Sequence, residues 1–531
     1  MSEITPLKVK YGTKKNLNLL INPIPIKFMR RTDLTQEIRA EIAHEAYKAQ
    51  NSENSYGRIV EITKEYQVCR AFVYILLKVF KSYLLEAYFV KEVTKSISKK
   101  EMIARMTFLR MIGHNSIKSI SEIMRYDELK YSSTGTISET LFSIGKLLPK
   151  VQSLPLDKKI KITAVADEIF IGNQPILITL DPISSTILSI ELVETRSEEI
   201  WKNHISEIEA EEKIEIISMA TDGGKGLCSA VSKKNIAWQP DTYHAIAHRL
   251  GNGVNRLEAK AYKRIEIEYE RKRIISSAKT QKVINQRRYK YAKACKETIK
   301  SIEIYDTFYY LYSYIIKEMQ SFHSDGRLRN KVEAQGNIEV ALELIESLEN
   351  QAINKQITTI KRILPELLNY FDEAKRAIKR CKDLAIDDET ITTLTLVWKW
   401  NKALIKAKKM LRRKKAREEY LFYLEYAKET LGDRFENLKT AIFTELDKII
   451  QASSMVENIN SILRPYLNNS KNQINQEFLN LFAFYHNHRR YADGKRKGKI
   501  PMEILTGKKQ EKDWLPLLMD YIEGLQPELF L

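Results

Sequence analysis

The sequence Lys161-Ile-Thr-Ala-Val-Ala-Asp-Glu-Ile-Phe-Ile-Gly172 is a short apolar run, rich in β-branched residues, and a Gly-Asn turn closes it. This pattern predicts a β-strand. Asp167 lies in the middle of the run, where a carboxylate costs free energy unless a cation or hydrogen bonds hold it. We therefore expect Asp167 to belong to a functional site.

Two more acids occur in comparable settings. Asp222 follows the apolar run over residues 214–220, and Glu457 lies in the helical segment Ser453-Ser-Met-Val-Glu-Asn-Ile-Asn-Ser-Ile-Leu-Arg464. We interpret Asp167, Asp222 and Glu457 as three carboxylates that meet in space and bind divalent metal ions. The helix around Glu457 has an apolar stripe beside a polar one. The apolar stripe is Val456, Ile459 and Leu463, and the polar stripe is Glu457, Asn460, Ser461 and Arg464.

Each acid also has a simpler explanation. Asp222 in Thr-Asp-Gly-Gly could be a turn or helix-cap acid, and Glu457 alone could be an exposed helix residue. Glu168 competes with Asp167, because a shift of one residue along a strand places a side chain on the opposite face. The order of the three acids, with a strand pattern between them, favours a shared catalytic site.

The five strands that we predict for the sheet all lie within residues 156–255. The strands lie at 161–172, 175–180, 186–193, 214–220 and 236–243, with helices at 198–208, at 224–233 and from Ala245 onward. This order predicts a mixed five-stranded sheet, in which three antiparallel strands precede two parallel ones. The first and fourth strands should be neighbours at its centre. The fold class is therefore α/β for this domain, with mostly α-helical segments before and after it.

The N-terminal segments are predicted to be helical. Residues 1–30 should form an arm. Residues 31–92 and 93–150 each show the rhythm of short helices and turns that is typical of a helix-turn-helix domain, although three-helix packing without DNA has the same pattern. In the first of these domains, Arg70, Tyr74 and Lys78 should lie on the outer face of the second helix and contact DNA.

Residues 256–451 are predicted to be an all-helical insertion. Its basic segments 260–300 and 402–417 are either solvated helix faces or contacts to the DNA backbone. Trp398 and Trp400 fit a helix core better than a stacking surface for a base. Residues 452–505 should return to the catalytic domain, and residues 506–531 should form a C-terminal tail.

The composition indicates the class of partner. The net charge is +19, which favours nucleic acid over the alternative of an anionic membrane surface. No apolar run is long enough to span a bilayer, and the N-terminus lacks a signal-peptide pattern. The four cysteines have no paired spacing, which predicts neither a zinc site nor disulfides. The cysteines are Cys69, Cys228, Cys295 and Cys381. Because unpaired cysteines fit a reducing compartment, we expect a protein of the bacterial cytosol or nucleoid.

The motifs around the three acids resemble a known family. The chain is similar to DDE-type transposases of bacterial insertion sequences, which have an RNase H-like catalytic domain. The first Asp is in Ala164-Val-Ala-Asp-Glu-Ile, the second is in Thr221-Asp-Gly-Gly224, and the Glu precedes Arg464 by seven residues on a helix. Asp241-Thr-Tyr-His244 and the tail Phe484-Tyr-His-Asn-His-Arg-Arg490, with Gly498-Lys-Ile-Pro-Met-Glu-Ile-Leu505, also resemble this family. The long interval between Asp222 and Glu457 resembles members with an all-helical insertion.

This resemblance implies a mechanism and partners. Two Mg²⁺ or Mn²⁺ ions, about 4 Å apart, would serve phosphodiester chemistry, and they prefer oxygen ligands. Asp167 would bridge both ions, Asp222 would hold one and Glu457 the other. Water would free a 3′-hydroxyl at each end of a mobile element, and that hydroxyl would attack target DNA. The partner is therefore double-stranded DNA, bound by a homodimer or a larger synaptic complex.

Further residues are candidates for DNA contact. We interpret His244 and His248 as a packed or DNA-facing pair, and a zinc site is the alternative. Arg464 should contact a DNA phosphate. Arg489 and Arg490 begin a basic loop, and we interpret the preceding His486-Asn-His488 as a DNA-facing loop too. Two alternatives to an active transposase remain open. They are a domesticated, non-catalytic DNA-binding protein and a metal-dependent nuclease on the same scaffold.

Overall fold

A computed structural model of the chain shows two compact units, which divide between Ser96 and Ile97. The predicted arm over residues 1–30 lies outside the described residues. The structure describes residues 33–52, 56–87, 97–151, 154–156, 158–210, 213–348, 350–470, 473–494 and 496–530.

The first unit is a small helical cluster. Its helices are α1 (Gln36–Gln50), α2 (Arg58–Glu65) and α3 (Arg70–Ala87). Val73 and Leu76 of α3 are buried against α1 and α2, as their spacing predicted. Arg70, Tyr74 and Lys78 are exposed on the other side of α3, which confirms the predicted outer face. Whether this face contacts DNA stays a prediction.

The second unit contains a five-stranded mixed sheet. Its strands are β1 (Ile160–Ile171), β2 (Gln174–Leu180), β3 (Ile187–Leu192), β4 (Ile214–Thr221) and β5 (Ala237–Pro240). Their order in the sheet is β3-β2-β1-β4-β5. The β1–β2 and β2–β3 pairs are antiparallel, whereas β1–β4 and β4–β5 are parallel. The predicted sheet, with its first and fourth strands side by side, is therefore confirmed at this level.

The remaining elements of the second unit are helices. In chain order they are α4 (Lys99–Met111), α5 (Ile117–Tyr126), α6 (Thr134–Leu147), α7 (Glu198–Ala210), α8 (Lys225–Lys233), α9 (Arg249–Arg273), α10 (Gln281–Glu318), α11 (Lys331–Glu346), α12 (Gln351–Leu367), α13 (Tyr370–Asp383), α14 (Asp388–Lys406), α15 (Met410–Leu431), α16 (Phe435–Leu446), α17 (Ser454–Asn469), α18 (Gln476–His488), α19 (Pro501–Thr506) and α20 (Trp514–Leu525). None of the helices in the described ranges has the length and apolar character needed to cross a bilayer.

The sheet separates two hydrophobic cores. Side chains alternate along a strand, so Val165 and Ile169 of β1 face one core and Ala164 and Ala166 face the other. The first core is completed by α4, α5, α6, α17, α18 and α20. The second is completed by α7, α8 and part of α19. The side chains of Asp167 and Glu168 therefore leave β1 on opposite faces of the sheet.

Two segments differ from the sequence prediction. The helices of residues 93–150 do not form a separate domain, because α4, α5 and α6 share a core with the sheet. The predicted tail contains α20, whose Trp514 and Leu518 are buried in the same core. In both cases short amphipathic helices bury their apolar faces against a distant part of the chain.

The all-helical insertion has its own core, as expected. Within the described part of residues 256–451, regular structure is helical from α9 to α16, and one hydrophobic cluster joins these helices. Trp398 belongs to that cluster, and its indole Nε1–H donates to Asp447 at 2.9 Å. All four cysteines are free thiols. The fifth strand ends at Pro240, earlier than predicted, because the chain turns at once into a π-helical segment over Tyr243–His248.

Gly145 of α6 allows a close contact between α6 and the start of α18. A methyl group at this position would overlap the backbone carbonyl of Glu477, at the start of α18. We expect Gly145→Ala to lower the free energy of unfolding by about 1–3 kcal/mol, because backbone must move to admit it. Urea denaturation would measure the change. Gly336→Ala in α11 is the matched control, since its methyl group would meet nothing within 4 Å and should be neutral or slightly stabilising.

Candidate active site

The three predicted acids line one cleft at the edge of the sheet. Asp167, Asp222 and Glu457 come from β1, the loop after β4 and α17, and the cleft between them has a volume of about 820 Å³. Residues that are far apart in sequence thus share one surface. The other lining residues are Glu168, Ile169, Phe170, Arg196, His244, Asn460, Ser461, Arg464, Leu467 and Asn468.

The register of the parallel strands explains why the two aspartates are neighbours. Val165 of β1 pairs with Ala220 of β4. Asp167 and Asp222 each follow that pair by two residues, so both carboxylates emerge at the same level of the sheet. Thr221 supports this arrangement, because its hydroxyl accepts hydrogen bonds from the indole of Trp238 at 3.0 Å and from a backbone N–H of the following turn at 3.3 Å.

The Asp167 carboxyl is the most perturbed acid of the cleft. Burial is the largest cause, and together with the negative charges of Asp222, Glu168 and Glu457 it raises the pKa of Asp167 to about 7. The backbone N–H of Glu168 acts in the opposite direction. A partly buried carboxyl with acidic neighbours favours either a proton or a bound cation.

Asp222 is partly engaged by its own loop. Its Oδ1 accepts a hydrogen bond from the N–H of Gly224 at 3.0 Å, just before α8 begins. The turn role that the sequence left open is therefore present. The side chain is nevertheless exposed and lines the cleft, so the turn role and a role in the cleft are compatible.

The Glu457 helix has the two stripes that its sequence predicts. Val456, Ile459 and Leu463 are fully buried in the core below the sheet. Glu457, Asn460, Ser461 and Arg464 all line the cleft. Nε2 of His244 donates a hydrogen bond to Oε1 of Glu457 at 3.0 Å. The helix thus turns its acid towards the aspartates, and His244 orients that acid.

A buried aspartate fixes the start of this helix. Asp241, only 3% exposed, accepts hydrogen bonds at Oδ2 from the backbone N–H and the hydroxyl of Ser453, at 2.7 and 2.8 Å. Its Oδ1 accepts from the N–H of His244 at 2.9 Å. One carboxylate therefore positions both Glu457 and the histidine that holds it. The sequence shows Asp241 only as part of a motif, because its partner Ser453 lies 212 residues away.

The acids share a cleft but not one coordination shell. In the described part of the chain, no three His, Cys, Asp or Glu side chains have the arrangement that would hold a single metal ion. The donor set still fits a cation, because Asn460 adds a buried side-chain oxygen that has no hydrogen-bond donor in the structure. Oxygen ligands of this kind suit Mg²⁺ or Mn²⁺ better than softer metals.

One charged residue of the cleft, Arg196, is not identified from the sequence. Arg196, in the loop before α7, forms an ion pair with Glu168, whose side chain is 6% exposed. The Arg196 guanidinium also lies 5.3 Å from the centre of the Phe170 ring. Glu168 lines the cleft together with Asp167. Its ion pair positions an arginine at the rim of the cleft, a pairing that no local motif signals.

The predicted DNA-contact residues separate into two groups. Arg464 and His244 line the cleft, whereas His248, Arg489 and Arg490 do not. The expected DNA-facing loop at His486 is wrong, because α18 continues to His488 and buries His486 completely. Burial also lowers the pKa of His486 to about 3, so this imidazole stays neutral.

Asp241 can be tested by an isosteric change. Asp241→Asn places an amide NH₂, a donor, against the donors of Ser453 or His244. We expect the free energy of unfolding to fall by about 2 kcal/mol, measured by urea denaturation. Asp306→Asn, at an exposed position of α10, is the control and should change nothing. A D241N protein as stable as the wild type would show that the clamp is unimportant.

The raised pKa of Asp167 predicts a pH effect in metal-free protein. The unfolded acid loses its proton near pH 4, whereas the native acid keeps it to about pH 7. Native protein therefore binds more protons between these values, and its stability should fall as the pH rises from about 4 to 7. In Asp167→Asn this contribution is absent, so its stability relative to wild type should grow with pH, by about 1–3 kcal/mol after solvent screening.

Denaturation curves in EDTA from pH 4 to 8 would measure this difference. Asp306→Asn should run parallel to the wild type throughout. A D167N protein whose stability differs from the wild type by a constant amount would contradict the assignment of the raised pKa to Asp167.

Comparison with known proteins supplies no family for this chain. No protein-family model matches it, and no curated protein matches it. The function must therefore be argued from the fold, the charge and the geometry of the cleft.

Proposed function

We propose that this protein is a DDE-type DNA transposase, which nicks the ends of a mobile element and joins the 3′-hydroxyl to target DNA. One observation carries the proposal. Asp167, Asp222 and Glu457, separated along the chain by a large helical insertion, line the same cleft together with Arg464. The sequence alone predicts each of these residues as part of the site.

The sheet supports an RNase H-like catalytic domain. Its strand order, with three antiparallel strands followed by two parallel ones, is the arrangement that the family resemblance implies. The acids emerge from the central strand, from the end of its parallel neighbour and from a helix packed on the sheet. These are the places that the resemblance assigns to the three catalytic acids.

The chain supplies oxygen ligands and cations at the site. Asp167, Asp222 and Glu457 would hold two Mg²⁺ or Mn²⁺ ions, which neutralise charge on the attacking and leaving oxygens of a phosphodiester when bound. His244 holds the Glu457 carboxylate by a 3.0 Å hydrogen bond. Arg464 lines the cleft two turns along α17, where its guanidinium can bind a DNA phosphate.

The rest of the molecule provides surface for DNA. The net charge of +19 favours a polyanionic partner, and the exposed Arg70, Tyr74 and Lys78 of α3 suit the major groove. Basic residues of α9, α10 and α15 are exposed in the insertion. Both ends of an element must be held together for joining, so we expect a dimer or larger assembly in the cytosol.

A second candidate is a non-catalytic DNA-binding protein on this scaffold. One observation favours it, because Asp222 and Glu457 each have an internal hydrogen-bond partner and no three acidic or imidazole side chains in the described residues share a metal-binding arrangement. In an active enzyme, the carboxylates must converge further when DNA and metal bind.

A strand-transfer assay separates these functions. The substrate is the DNA that flanks the coding region, including any inverted repeats, with Mg²⁺ or Mn²⁺. Wild type should nick and join, whereas Asp167→Asn, Asp222→Asn and Glu457→Gln should each lose at least about a hundredfold in rate, because charge stabilisation is removed from the reacting phosphate. Glu199→Gln, at an exposed position of α7, should keep full activity.

The possible results discriminate clearly. DNA binding without any metal-dependent cleavage by the wild type would favour the non-catalytic protein. Cleavage without joining would favour a nuclease. Joining that survives in all three acid variants would exclude this cleft as the active site.

A further inference from the structure

A buried arginine outside this cleft has only neutral hydrogen-bond partners among the described residues. It is Arg110 of α4, which is 5% exposed. Its guanidinium donates to the backbone carbonyl of Asn115 at 2.8 Å and to the hydroxyl of Ser470 at 2.7 Å. A guanidinium has five N–H donors, so these two neutral acceptors do not satisfy it. Burial also lowers its pKa.

This arginine opens into a pocket of about 660 Å³. Two charged residues line the pocket, Arg110 and Lys118, and none of the described lining residues is acidic. The rest of the lining is partly polar and partly apolar. The polar lining is Ser116, Ser138, Asn469, Ser470, Gln473 and Asn475; the apolar lining is Ile117, Leu141, Phe142, Ile474, Phe478 and Leu481. The ring of Phe478, with its centre 4.7 Å from the guanidinium, holds Arg110 in place.

The N-terminus of α5 lies at the same pocket. Ser116 caps this ten-residue helix by accepting a hydrogen bond from Ser119 N–H at 3.1 Å. The N–H groups of the next two residues, Ile117 and Lys118, have no acceptor among the described residues. Unpaired N–H groups and the helix dipole favour an anion at such a place.

We propose that this pocket binds a phosphate group, with the Arg110 guanidinium, the Lys118 ammonium and the first N–H groups of α5 as its donors. Arginine suits a phosphate because its planar fork can donate two hydrogen bonds to one anion. The phosphate can belong to the DNA backbone or to a free phosphorylated molecule. The site is independent of the catalytic acids, so it stands or falls separately from the transposase activity.

Binding of inorganic phosphate to the full-length protein tests the site. Isothermal titration at constant ionic strength should show saturable binding to the wild type. Arg110→Met keeps the apolar stem of the side chain but removes the guanidinium, and should weaken phosphate binding at least tenfold. Arg125→Met removes an arginine from the exposed end of α5 and should bind phosphate as the wild type does.

A second variant guards against misfolding at the buried position. Lys118 is exposed, and Lys118→Glu would place a carboxylate at the mouth of the pocket, where it should also weaken phosphate binding at least tenfold. Circular dichroism would confirm the fold of each variant. No saturable binding to the wild type, or binding unchanged in both R110M and K118E, would overturn the proposal and leave Arg110 a structural residue.

Duplex DNA, measured by fluorescence anisotropy, identifies the source of the phosphate. If the pocket holds a DNA phosphate, R110M should bind duplex more weakly, and the slope of log affinity against log salt should fall by about one. If duplex affinity is unchanged while phosphate binding is lost, the pocket takes a free phosphorylated molecule.

Discussion

Repulsion between like charges is the constraint that the cleft of the three acids must satisfy. Three carboxylates that face one another stay there only when rigid surroundings or a cation oppose their repulsion. The parallel register of β1 and β4 holds Asp167 and Asp222, since backbone hydrogen bonds fix their level in the sheet. Asp241 fixes the third acid by fastening the start of α17. Each carboxylate is therefore placed by a different backbone element.

The sheet could be predicted from the sequence because its signals are local. Alternating and continuous apolar runs predict all five strands, and Asp167 in the middle of the first run marks the site. The stripe of Val456, Ile459 and Leu463 likewise predicted which side of α17 would carry Glu457, and the cleft confirms it. In each case the side-chain period alone determines the exposed face.

Long-range partners could not be predicted in the same way. The ion pair of Arg196 with Glu168 and the hydrogen bonds of Asp241 with Ser453 join residues whose local sequences are unremarkable. Helices α4, α5 and α6 showed the pattern of a separate helix-turn-helix domain. Amphipathic periodicity reveals that a helix has an apolar face, but not which surface covers it. The prediction of a C-terminal tail misses α20 for the same reason, because the surface that covers α20 lies far away in the sequence.

The helical insertion leaves and rejoins the sheet domain at adjacent points in the structure. Thr242 N–H donates to the carbonyl of Gln451 at 3.0 Å, beside the bonds between Asp241 and Ser453. Closing a loop of roughly two hundred residues costs about 5 kcal/mol of chain entropy. These bonds, the hydrogen bonds that join Gln239 and Trp238 of β5 to the insertion, and the insertion's own core must offset that cost. Such an appendage can vary in length with little strain on its host, provided that its two stems stay joined.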